Sequence, residues 1–360
     1  ADYAGTWQTN ALTVSPNGSE KIGSVNADVT LSTEGQSVTF VYVDGTEGWK
    51  NVHDSTSNVT GNPFIQATGG TITTSGNCKI HTFTGPGTFC VSSISQTAPQ
   101  NVVSYMVVAG GGGQTNIGHY NGGGGAGGFR EVKAPDTPYT ASPLDGYPSA
   151  PNRITVTATS FPITVGGGGT GGPGPSGCGS NSVFSTITST GGGGGGSPAL
   201  GGGQTGGSGG GGSTFTPASN RPGSAGNTPP VSPPQGNSGG IGKLSSPPGT
   251  AGSGGGGGAT AAGGNSNTST PITAGNGGAG ATTSISGSPT AYAGGGGGSA
   301  YLSGAGGSGG SGGGGNGGQY PNNPAATNGT ANTGGGAGGD AGFTNPTGGS
   351  GIVIIRYKFK

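Results

Sequence analysis

Val38, Phe40 and Tyr42 alternate with Thr39, Val41 and Val43, the two-residue period that turns successive side chains to opposite faces of a strand. Asp44-Gly45 supplies a turn, and Trp49 falls in the return segment GWKNV. DVTLSTEGQSVTFVYV reads the same way, as two strands about a turn at Glu34-Gly35. In GGTITTSGNCKIHTFTGPGTFCVSS, the turn Gly85-Pro86-Gly87 is expected to join strands at 78–84 and 88–94 as a hairpin. Short apolar segments recur at 102–109, 153–165, 182–188 and 351–359. The last carries Ile352 to Ile355, four consecutive β-branched residues that suit a buried strand. Nothing has helical periodicity, so the expected class is all-β.

Glycine changes the picture. It supplies 94 of 360 residues and proline another 26, while charged residues make up 6%. Only 12 of the glycines lie in residues 1–108. From about Ala109 they cluster in runs, among them 110–113, 122–125, 191–196, 254–258 and 294–298. Collagen needs glycine at every third position, so runs exclude it. A flexible linker is the other plain reading, since ordering about 240 such residues costs a few hundred kcal/mol at ~1–2 kcal/mol each. One ordered architecture offsets that cost: polyproline-II helices packed side by side. Their outward-pointing N–H and C=O groups bond to neighbouring helices, and close approach excludes side chains.

Two features favour that order. Between Ile154 and Ile355 only Arg221, Lys243 and Asp340 are charged, and apolar strands recur between the runs. Pure runs read as interior helices, with Gly193, Gly256 and Gly296 at their centres. The mixed segments 306–315 and 335–342 read as surface helices. The fold expected is all-β N-terminal modules followed by a glycine-rich sandwich of packed polyproline-II helices with flanking strands and essentially no α-helix. Its divisions are a β stem module at 1–60, a small β module at 61–101 and a glycine-rich domain at 102–360.

Charge and chemistry narrow the function. Eleven basic residues balance eleven acidic ones, leaving no basic footprint for nucleic acid. No run approaches ~18 apolar residues, so no membrane insertion is expected. Ala1 at the start, without a signal-like segment, reads as a processed or partial chain, the C-terminal part of something longer. His53, His81 and His119 are isolated from one another, so no metal, cofactor or catalytic constellation is expected, and the chain does not read as an enzyme. Cys78, Cys90 and Cys178 read as free thiols. In the expected hairpin Cys90 faces Thr82, too far from Cys78 for a disulfide.

YMVVAGGGG, GGGGAGGFRE, FPITVGGGG, FSTITSTGGGGGG and the terminal GGSGIVIIRY resemble the glycine-rich domain near the C-termini of phage tail-fibre and tail-tip proteins. GQSVTFVYVDGTEGW and KIHTFTGPGTFCV resemble the β modules that precede it in marine phage structural proteins. The resemblance implies a virion tail-fibre protein, assembled in the host cytoplasm as a homotrimer with other tail proteins. The related adhesins of T-even phages touch the host through loops between polyproline-II helices. The partner implied is a host cell-surface receptor, glycan or outer-membrane protein.

Loops interrupting the glycine runs are then the candidate recognition surface. They carry His119 and Tyr120 (114–121), Tyr139 and Tyr147 (134–152), Phe215 and Arg221 (213–223) and Tyr320 (317–330). Aromatic rings beside Pro, Asn and Thr combine flat apolar area with hydrogen-bonding groups. Two other classes remain open: an ice-binding protein and a cell-surface glycine-rich structural protein. Strict G-x-x repeats would favour the first, and this sequence lacks them; a sorting signal or anchor helix would favour the second, and IVIIRYKFK resembles neither.

Overall fold

The computed structural model describes residues 1–54, 64–95, 97–115, 118–172, 177–198, 202–214, 220–244, 250–267, 269, 271–302, 304–321, 324–342 and 344–360. The chain forms two units, residues 1–63 with 95–97, and residues 64–94 with 98–360.

In the first unit β1 (Leu12–Val14) pairs with β2 (Val29–Leu31), and β3 (Val38–Asp44) with β4 (Gly48–Asp54), both antiparallel. The alternation at 38–43 does form a strand, and Tyr42 stands opposite Trp49. Asp44 Oδ1 closes the loop by accepting from the amides of Thr46 and Glu47. Gly48 takes φ +67° there, a region costly for residues with a Cβ. The expected pairing of 29–31 with 38–44 does not occur among the described residues: β2 pairs with β1 and β3 with β4.

The second unit contains β5 (Gln66–Thr68), β6 (Thr71–Ser75), β7 (Cys78–Phe83), β8 (Gly87–Ser93), β9 (Val102–Val108), β10 (Phe129–Val132), β11 (Ile154–Thr155), β12 (Ser160–Thr164), β13 (Ser182–Phe184) and β14 (Ile187–Ser189). After them come β15 (Lys243–Leu244), β16 (Ala251–Gly252), β17 (Ala281–Thr283), β18 (Thr290–Tyr292), β19 (Ala300–Tyr301), β20 (Gln319–Tyr320) and β21 (Ile352–Lys358). One sheet runs β10-β9-β21-β7-β6, with β11 also on β9; the other runs β14-β13-β12-β8-β5.

These two sheets sandwich one core. Val103, Tyr105, Val107, Val353, Ile355 and Tyr357 from the first meet Phe89, Val91, Ile163, Phe184 and Ile187 from the second. Alternate residues of the first sheet, Met106, Val108, Ile352 and Ile354, point the other way and pack on Ile285 and Tyr292 around the β17–β18 hairpin. β21 is therefore apolar on both faces, which explains its unbroken hydrophobic run. Each such fully buried side chain contributes roughly 1.5–3 kcal/mol.

The pairing corrects three expectations. The strands flanking Gly85-Pro86-Gly87 do not form a hairpin: β7 pairs with β6 and β21, β8 with β12 and β5, so the turn crosses between sheets. Residues 64–94 are consequently part of the glycine-rich unit rather than a module of their own. The segments 153–165 and 182–188 are each divided, into β11 with β12 and into the β13–β14 hairpin. All three cysteines are free, Cys78 buried on β7 and Cys90 exposed on β8.

The glycine runs leave these strands and return to them, hydrogen-bonded sideways to one another. After β9, Gly110 and Gly113 donate to Ser180 and Gly177, Gly111 and Gln114 to Gly349 and Pro346, and Ala109 and Gly112 to Gly128 and Gly125. Partners recur every third residue, in three directions. Strand ladders lie on two sides only, whereas three residues per turn is the period of polyproline II. Run 122–128 donates to runs 190–196, 254–257 and 334–337, and accepts from Gly112, Gly211 and Gly296 of three more. It is thus bonded on all sides.

Gly193, Gly256 and Gly296 lie buried in such runs. Segment 335–342 does too, contrary to its expected surface position: residues 335–341 are all buried, Ala337 and Asp340 completely. Its mixed composition reflects local accommodation of two methyls, Ala337 and Ala341, and the Asp340 carboxylate rather than contact with water.

Candidate recognition surface

Run direction decides where the loops lie. Run 109–114 leaves β9, and 122–128 comes back antiparallel into β10. The same out-and-back pairing joins 293–299 to 306–311, 313–318 to 326–330, and 334–339 to 346–351, which enters β21. Outward runs 294–297 and 336–339 are parallel to each other, as are returning runs 123–126 and 254–257. The described loop residues 115 with 118–120, 300–302 with 304–305, 319–321 with 324–325, and 340–342 with 344–345 therefore gather at the end of the runs away from the sandwich.

A small sheet in the order β15-β16-β19-β20 lies at this end. β19 and β20 are parallel, with Tyr301 opposite Tyr320. This register stacks the two rings, 5.2 Å between centroids with their planes 4° from parallel. His119 stacks on Tyr320 at 4.0 Å and lies 5.6 Å from Tyr301, while Tyr120 lies 4.7 Å from Tyr301. The Nδ1–H of His119 donates to Ala341 O at 2.9 Å. Ser299 Oγ braces the loop, donating to His119 O and accepting from Asn121 N. Burial, with a lesser contribution from Tyr301, pushes the Tyr120 hydroxyl above its ordinary pKa.

Beside Tyr320 is a cavity of about 350 Å³, between residues 318–321 with 324–325 and residues 341–342 with 344. One wall is fixed by Asp340, whose Oδ1 accepts from Gly342 N and Thr344 Oγ1 (both 3.0 Å) and Oδ2 from Thr344 N (2.9 Å). The other is fixed by Gln319 N donating to Pro324 O and Leu302 N donating to Tyr320 O. Stacked rings beside a braced, mixed-polarity hollow suit non-covalent recognition.

Three expected recognition residues, His119, Tyr120 and Tyr320, thus come together, joined by Tyr301. Tyr301 carried the same signal, an aromatic residue between glycine runs. Arg221 is also at the loop end, its backbone bridged to Gly242. Phe215 lies outside the described residues. Tyr139 and Tyr147 do not join the group; their loop follows β10 at the sandwich end. Tyr139 packs on the cluster around Met106 and Ile285 with Arg356 over its ring at 5.2 Å, and Tyr147 packs on the main core with Arg153 over it at 4.4 Å.

No curated protein matches the sequence. Residues 84–358, from the sheet-crossing turn to the end of β21, match the glycine-rich domain family, and the chain belongs to that family.

Proposed function

We propose that the protein is a structural component of a phage tail fibre or tail tip whose glycine-rich unit is the receptor-binding adhesin. In this reading the runs are polyproline-II helices, and the loops between them contact the host cell surface. The three-residue hydrogen-bond period supports the helices. The single observation that carries the function is the gathering of His119, Tyr120, Tyr301 and Tyr320 at the loop end, far from the strands that hold the unit together. A platform fixed by backbone bonds presents loops whose sequence is free to vary, which is what recognition of variable surfaces requires. The first unit joins the adhesin to the other tail proteins as a trimeric stem.

Electron microscopy of virions labelled with an antibody to this chain tests the reading. Label at the distal end of fibres, together with blocked adsorption when soluble chain is added to host cells, is the expected result. Particles that carry no label overturn it.

A further inference from the structure

We propose that the cavity beside Tyr320 is a subsite for one neutral hexopyranose ring of a cell-surface glycan. The proposal names the ligand class for the adhesin reading and rests on it for its setting. A pyranose offers a face of C–H groups and a rim of hydroxyls that donate and accept. The cavity offers the same mixture in reverse. Tyr320, Pro321, Pro324 and Ala325 supply apolar surface, and Gln319 and Thr344 supply polar groups.

Charge selects against acidic sugars. No Lys or Arg is among the described residues lining the cavity, and the buried carboxylate of Asp340 lies directly behind the wall of Ala341, Gly342 and Thr344. An anionic ring would meet repulsion there without a compensating cation. The size is right for one ring with its bridging waters, at the small end of ligand pockets. The walls are braced before any ligand arrives. His119 ties them together, stacking on Tyr320 of one and donating to Ala341 O of the other. Such preorganisation reduces the ordering cost of binding.

Ligand-observed NMR titration of the full chain tests this with methyl glycosides of glucose, galactose and mannose, and with N-acetylneuraminic acid and glucuronic acid as anionic probes. The expected result is saturable binding of at least one neutral glycoside and none of either acid. Ala325→Trp, which fills the hollow from an exposed position, and Gln319→Leu, which removes the side-chain amide at unchanged bulk, should each weaken binding at least tenfold with unchanged melting temperature. Failure of all three glycosides to bind, preferential binding of an acid, or unchanged affinity in a folded variant overturns the subsite. Cell attachment by labelled chain is measured alongside. Attachment that survives both variants overturns the subsite and leaves the adhesin standing, whereas glycoside binding without attachment to cells of any permissive strain keeps the subsite and overturns the adhesin.

Discussion

Gly296 approaches Ala337 so closely that a Cβ on it would stand well inside 3.0 Å of the Ala337 carbonyl oxygen, a separation real Cβ atoms essentially never show. Gly193 stands in the same relation to Gln204 O, Gly256 to Gly124 O and Gly338 to Asn316 O. In each case the obstacle is backbone that is itself hydrogen-bonded, so it yields only by breaking those bonds. Alanine at any of the four positions should therefore cost about 3 kcal/mol or more, from overpacking and lost hydrogen bonds together. Gly167 is the control: it is exposed and a Cβ there meets nothing within 4 Å. Gly167→Ala should be neutral or stabilise by about 0.4–1 kcal/mol. Thermal melts measure all five, and equal shifts near zero would contradict the packed arrangement.

The strands themselves were legible because alternation and β-branching are local signals. Their partners were not. β7 and β8 flank a good turn and pattern alike, but β7 finds six partners in β21, from Val353 to Lys358, across most of the chain. No local pattern encodes that choice. The interior glycine runs were legible from the absence of side chains, yet 335–342 misled, because Ala337 and Asp340 are buried where small gaps admit them. The recognition surface was half legible for a related reason. An aromatic residue between glycine runs marks a loop, but only run direction separates the loop end, with Tyr320, from the sandwich end, with Tyr139.

Two buried groups should give stability opposing slopes with pH. His81 is buried; its Nδ1–H donates to Gly69 O at 2.7 Å, so Nε2 accepts from the Tyr357 hydroxyl at 3.0 Å. Burial, opposed by the Gly69 bond and aided by Lys79, holds its pKa below the ordinary 6.5. The unfolded chain takes up this proton first, so the His81 contribution is intact above pH 6.5 and is lost as pH falls toward the lower folded value. Glu131 behaves oppositely. Burial raises its pKa above 4.5 despite bonds from Ser142 N and Thr283 Oγ1, and Asp145 adds to the rise. Its contribution is present below about pH 4.5 and is lost as pH climbs through the raised folded value. Denaturant midpoints from pH 4 to 8 check both. His81→Gln should remove the slope that rises with pH below 6.5, and Glu131→Gln the slope that falls with pH above about 4.5, each at most ~1.4 kcal/mol per pH unit.

Tyr139 and Tyr147 should behave as structural residues. Tyr139 lies between the Met106–Ile285 cluster and Arg356, a buried cation whose guanidinium donates to the carbonyls of Ser284, Ile285 and Pro138. Removing the ring takes away both its packing and a cation–π contact. Tyr139→Ala should cost about 2–4 kcal/mol and Tyr147→Ala, on the core margin, about 1–2 kcal/mol. Receptor or glycoside affinity of the folded fraction should not change. A selective loss of affinity at unchanged melting temperature would instead place the 134–152 loop in the recognition surface.

The first unit should hold the chain as an oligomer, with a trimer the expected state. Its described buried apolar side chains are few, Ile22 and Leu31 on the aliphatic side, while Val43 and Val52 on β3 and β4 are 54% and 59% exposed. A unit of this size buries a small share of its surface and is marginal unaided, and although Lys21–Gly23 bridge the β4 edge at Trp49, the outer edge of β3 has no strand partner among the described residues. Association covers apolar side chains and edges together, at roughly 25 cal/mol for each Å² of apolar surface removed from water. Mass photometry of the full chain should give three times the chain mass. The double variant Val43→Lys, Val52→Lys should shift it to monomer while the melting of the glycine-rich unit stays where it was. A monodisperse monomer of the unaltered chain at micromolar concentration would remove the stem and leave the glycine-rich unit to act alone.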